Sequence, residues 1–200
     1  MPRPSRYTTG QLLDAALALA DTGGPTAVTM TAVAKEAGVP SGSLYHRFPG
    51  RADLLAALWL RTLERFHAGY LDVLAGDGTP ERIALDASRH LVGWCREHPS
   101  EARVLRHGAD AFGQDEWPAA AREQLKAANE RVMGAIHALA ARLGATGAKG
   151  RARVVAAIVE VPYGLVQTHL RERETVPAAK ADMAEECARA LLAPVVHAPR

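Results

Sequence analysis

Ser41, Ser43, His46 and Arg47 crowd into seven residues of a chain of 200. They are short or hydrogen-bonding side chains. On the outer face of one helix held in place by another, such a set does the chemistry of recognition: donors and acceptors offered to base edges in a DNA major groove. The surrounding stretch, TMTAVAKEAGVPSGSLYHRF from Thr29 to Phe48, supplies both helices. Thr29 is an N-cap residue, and Met30, Val33, Ala34 and Ala37 follow at i, i+3, i+4, i+7, an apolar stripe of about two turns. Gly38 closes that helix in the left-handed conformation, and Val39 tucks into the small core beneath the turn. Pro40 opens a second helix, on which Leu44 and Phe48 point inward.

Further elements must hold this pair. Arg3, Arg6 and Tyr7 form a short basic arm, suited to meeting phosphate or no more than a frayed terminus. Thr8 with Gln11 makes a capping box, and Leu12, Leu13, Ala16, Leu17 and Ala20 form one face of a helix that Gly23, Gly24 and Pro25 stop. The three helices would share a core of Leu13, Leu17, Val28, Val33, Leu44 and Phe48.

Composition bounds the rest. With 48% hydrophobic residues the chain can bury a sizeable core. No apolar run is long enough to span a bilayer and MPRPSRYTTG lacks a signal-like apolar segment, so a soluble cytoplasmic protein is expected, with an alanine- and arginine-rich composition that suggests a bacterial source. The net charge is only +2, so the basic residues that matter are those beside the motif: Arg3, Arg6, Lys35, Arg47 and Arg51.

From Arg51 to about Leu74 the pattern predicts one long helix with Leu54, Leu55, Leu58, Trp59, Thr62, Phe66 and Leu74 on its apolar side. Gly76 to Pro80 is a loop, Glu81 to Glu97 a helix ended by Pro99, and Ser100 to His107 a shorter helix. Gly108 to Pro118 reads as a loop or a loosely wound segment. A long helix then runs to about Leu143, and GATGAKG links it to two more. Arg151 to Glu174 carries Val155, Ile158, Pro162 and Leu165, with a kink expected at Pro162. Ala178 to Ala193 carries Met183, Cys187 and Leu191, and its small residues Ala179, Ala184 and Ala188 allow a neighbouring helix to approach closely. This last pair is expected to form a homodimer interface, the alternative being that both helices complete the monomer core. The fold class is all-α.

The run from Leu12 to Leu58 resembles the DNA-binding domain of the TetR family of bacterial transcription regulators. The resemblance rests on LLDAALALA, VTMTAVAKEAGV and SGSLYHRFPGRADLLAAL standing in order at the family spacing. Two positions depart from the pattern. Ala20 stands where an aromatic is usual, which should thin the core, and Pro40 replaces the usual serine cap. The resemblance implies a DNA-binding domain over residues 1–50 and an effector-binding and dimerisation domain over residues 51–200. It also implies a repressor that binds double-stranded operator DNA as a homodimer and is released by a small, hydrophobic or aromatic effector. Ser41, Ser43, His46 and Thr31 would then reach base edges, and Tyr45 and Arg51 match positions that hold phosphate. Arg47 would take phosphate or a guanine edge, and Gly42 would leave room for the groove. Effector contacts would come from Phe66, Trp94, Phe112, Trp117, Met133 and Tyr163, with His90 and Gln167 as polar partners, although each taken alone is better read as core packing.

Two other classes compete. A helical enzyme or metal protein would need H-E-x-x-H, facing E-x-x-H repeats or a second pair beside Cys95 and His98; none is present, and neither a metal nor another cofactor is expected. A nonspecific architectural DNA binder would carry far more positive charge.

Overall fold

The computed structural model describes residues 8–145 and 147–196, so the basic arm of Arg3, Arg6 and Tyr7 lies outside the described residues. No strand occurs among those described. The chain divides into two compact units, residues 1–63 with 103–126, and residues 64–102 with 127–200. These do not coincide with a division after residue 50.

In the first unit, α1 (Thr9–Ala27) starts with the expected capping box. The Gln11 N–H donates to Thr8 Oγ1 at 3.3 Å and the Thr8 N–H donates to Gln11 Oε1 at 2.9 Å. Leu12, Leu13, Ala16 and Ala20 are buried, whereas Leu17, expected in the core, is only half-buried. The helical hydrogen bonding carries on past a break at Gly24, whose φ of 70° lets the chain turn. Thr29 caps α2 (Met30–Glu36). The end of α2 is a Schellman closure around Gly38 at φ 65°, with the Val39 N–H on Ala34 O at 2.9 Å and the Gly38 N–H on Lys35 O at 3.1 Å. Val39, Leu44 and Phe48 are buried, as the pattern requires. Pro40 is the N-cap of α3 (Ser41–Tyr45), extended and without a side-chain cap; its carbonyl accepts from the Ser43 N–H instead.

The start of α4 (Arg51–Leu74), the end of α6 (Pro99–Arg106) and the start of α7 (Ala119–Arg142) belong wholly or partly to this unit. Arg103 forks onto Asp21 of α1 at 2.6 and 2.9 Å. The stretch expected to be a loop folds as two 3-10 turns, Asp110–Phe112 and Gln114–Glu116. Its aromatics are fully buried: Trp59 lies 5.3 Å from Phe112, and Trp117 Nε1 donates to Phe112 O at 2.9 Å. Large apolar rings this close to one another outweigh the loop-like composition around them.

In the second unit α5 (Pro80–Glu97) packs against α10 (Ala179–Val196). Ala184 and Ala188 are buried, and Ser88 Oγ donates to Ala184 O at 3.0 Å. Ala184 and Ala188 therefore pack against α5 of their own chain, while Ala179 is exposed. Arg89 on α5 reinforces the seam through Asp182 and Glu185, at 2.6 and 3.0 Å. The expected linker is shorter than GATGAKG, because α8 (Gly147–Val155) begins inside it. A π-turn, Ala156–Glu160, joins α8 to α9 (Val161–Glu172), and the disturbance expected at Pro162 is taken up there. Proline has no N–H to donate to Ile158 O, four residues back. The buried Tyr70 hydroxyl does so instead, at 2.8 Å across 88 residues of sequence.

Candidate nucleic-acid interface

The polar residues of the helix-turn-helix stand over a closed core. Leu44 and Val33 are fully buried and Phe48 nearly so. Thr31, Ser41, Gly42 and His46 are exposed, Tyr45 is 53% exposed, and Ser43 and Arg47 are half-buried. Exposing a tyrosine ring to that extent forgoes apolar burial in the isolated protein, as expected of a side chain kept for a partner. Nothing lies within 4 Å of where a Cβ on Gly42 would stand, so the open surface continues across it.

Arg51 does something the sequence did not disclose. Its Nε donates to Val28 O and its Nη2 to Pro25 O, both at 2.7 Å. The guanidinium is thus directed into the connection between α1 and α2. Nothing local in the sequence signals this, since the partners lie 23 and 26 residues back.

The expected effector residues are divided between the two units. Phe112 and Trp117 are core of the first unit. Met133 and Gln167 are exposed. In the second unit Phe66 and Trp94 meet edge to face at 5.0 Å, Phe66 stacks on Tyr70 at 5.4 Å, and Tyr70 lies 6.1 Å from His90. His67, not singled out from the sequence, joins this cluster 5.9 Å from Phe66 and is only 6% exposed. Burial, reinforced by the Arg131 guanidinium, holds its imidazole down at about 4, so it is neutral at pH 7. Burial also lowers His90. His67 Nδ1 and His90 Nε2 are buried ring nitrogens with no hydrogen-bond partner among the described residues. A pocket of about 570 Å³ lined by His137, Ala141, Ala145, Gly147 and Arg151 also opens on this unit.

Of the expected interface residues, Ile158 and Pro162 are buried within the single chain. Val155, Leu165, Cys187 and Leu191 are half-buried and Met183 is exposed. Among the described residues no group of three His, Cys, Asp or Glu is placed to hold a metal ion. Burial pushes the Cys95 thiol up to about 12, which keeps it protonated. No described helix is long and apolar enough to cross a membrane.

Short helices that present exposed hydrogen-bonding groups over a sealed core define a helix-turn-helix DNA-binding head. Residues 12–58 match the family described as bacterial regulatory proteins, tetR family. Over these residues the chain carries the DNA-binding domain of that family. It is similar to the HTH-type transcriptional repressor KstR of Mycolicibacterium smegmatis, at 43% identity over 70 residues, 35% of this chain and 34% of that protein. The aligned stretch thus spans about a third of that relative's length. Among solved structures, a TetR-family transcriptional regulator from Streptomyces coelicolor is 27% identical, with a TM-score of 0.58 over 93% of this chain and 98% of that one. The transcriptional regulator FadR from Bacillus subtilis, solved in complex with stearoyl-CoA, shares the fold at 14% identity, with a TM-score of 0.67 over 96% of this chain and 100% of that one.

Proposed function

We propose that this protein is a transcriptional repressor that binds a palindromic operator as a homodimer and is released by a small hydrophobic or aromatic molecule. The observation that carries the reading is the exposed row of Thr31, Ser41, Tyr45 and His46 above buried Val33, Leu44 and Phe48. Ser41, Ser43 and His46 meet base edges, and Tyr45 and Arg47 lie against the backbone. Two heads reading successive major grooves sit about 34 Å apart. Because serines discriminate bases poorly, DNA shape and the spacing of the two heads carry much of the specificity.

The second copy docks on the side chains of α8, α9 and α10 left partly open, namely Val155, Leu165, Met183, Cys187 and Leu191. For the effector, the supporting feature is the cluster of Phe66, Tyr70 and Trp94, whose neighbours His67 and His90 each hold a buried nitrogen without a partner among the described residues. Such a group is costly to leave unsatisfied, and a ligand with a polar tip on an apolar body would relieve it. The long-chain ligand of the FadR neighbour belongs to that chemical class. An effector that releases DNA must bind the DNA-incompetent state more tightly, and the operator must weaken effector binding by the same factor.

Footprinting on the DNA flanking the gene tests the reading. Protection of a two-fold symmetric site supports it, and uniform coverage or no protection overturns it.

A further inference from the structure

We infer that Arg51 is the positioning residue of the helix-turn-helix, setting where α2 and α3 stand relative to α4, and does not act as a phosphate ligand. This rests on the DNA-binding reading above. Arg51 is the first residue of α4 and its backbone is held firmly. The Gly50 N–H donates to Asp53 Oδ2 at 3.0 Å and the Leu54 N–H donates to Gly50 O at 3.2 Å, a capped helix start with Asp53 reaching back. From that fixed point the guanidinium spans two carbonyls, Val28 O through Nε and Pro25 O through Nη2. Pro25 O already accepts from the Val28 N–H at 3.2 Å, so the cation sits on two carbonyls of the turn that follows the break at Gly24.

The placement of these contacts matters more than their strength. Residues 25 and 28 lie just before the helix-turn-helix and residue 51 just after it, so the bridge closes the loop of chain that contains α2, its glycine turn and α3. Any movement of the first turn of α4 passes through two hydrogen bonds to the residues that lead into α2. The rigid planar fork is essential to this, because both carbonyls are met by nitrogens at fixed separation. A lysine keeps the charge that a phosphate would want but has a single nitrogen, which cannot reproduce the fork.

That difference supplies the test. Full-length wild type, Arg51→Lys and Arg51→Gln are compared by thermal melting. They are also compared by titration of the protected flanking-DNA fragment over a range of KCl concentrations, at a temperature where circular dichroism shows all three folded. The bridge predicts that both variants melt about 5 °C lower. It also predicts that both bind about tenfold more weakly, as for one misplaced base contact, with an unchanged salt slope. If Arg51→Lys binds like wild type while Arg51→Gln loses about one unit of salt slope, the residue is a phosphate ligand and the inference fails. If both variants melt lower but bind with wild-type affinity, Arg51 only stabilises the fold, and the positioning role fails. If wild type protects no fragment, the functional reading falls. The bridge is then judged by melting alone, and wild-type melting of both variants overturns it.

Discussion

The two units hold their polar groups in opposite ways. In the first, Thr31, Ser41, Tyr45 and His46 stand in water above an apolar floor, so their readiness to bond costs the free protein nothing. In the second, His67, Tyr70 and Ser88 are buried. Tyr70 and Ser88 are matched to main-chain carbonyls of Ile158 and Ala184, while His67 Nδ1 and His90 Nε2 have no match among the described residues. A surface recognition group can be known by its type and position. A buried polar group is either architecture or a binding group, and only its partners tell which.

The contrast can be broken at its apolar floor first. Phe48→Ala removes the ring that seals the reading head, and chemical denaturation should show a loss of about 3–5 kcal/mol. A loss below about 1 kcal/mol would show that Phe48 does not seal a core of the kind described.

Acidification probes the buried side. The folded-state value of His67, about 4, lies below the ordinary 6.5, so the unfolded chain binds more protons between these values. Stability from this group is complete above about pH 6.5 and is lost as pH falls to about 4, by up to roughly 3 kcal/mol. Urea titrations at pH 7, 5.5 and 4 should show that loss in wild type and less of it in His67→Gln. Equal pH dependence in the two proteins would contradict a buried neutral imidazole.

The same small substitution made in both units gives the sharpest comparison. Tyr70→Phe removes the buried hydroxyl that donates to Ile158 O, which Pro162 cannot replace, and should cost about 1–3 kcal/mol. Tyr45→Phe should leave stability within about 0.5 kcal/mol, because its ring is open to water. Similar costs at the two positions would erase the distinction between the units.

Much of the first unit could be read directly from the chain. The capping box of Thr8 and Gln11, the Thr29 cap and the Gly38 closure all join residues within a few positions of one another, where spacing alone carries the information. The exposed row of candidate base-reading residues follows from the same periodicity. The second unit was legible as helices but not as a site. Phe112 and Trp117 sat in a loop-like stretch, and only their packing beside Trp59 made them core of the first unit. Ala184 and Ala188 announced close helix packing without naming the neighbour, and the neighbour proved to be α5 of the same chain.

By itself, then, the sequence determined the helices, their caps and the polar row on α3, because each depends on backbone propensity and side-chain spacing over one or two turns. Tertiary structure alone decided what pairs across long separations. It turned Arg51 onto Pro25 and Val28, brought the Tyr70 hydroxyl to Ile158 O, and left two buried imidazole nitrogens without partners among the described residues. A side chain's chemistry is written in its residue type, whereas its partner is settled only when distant segments compete to bury the same surface.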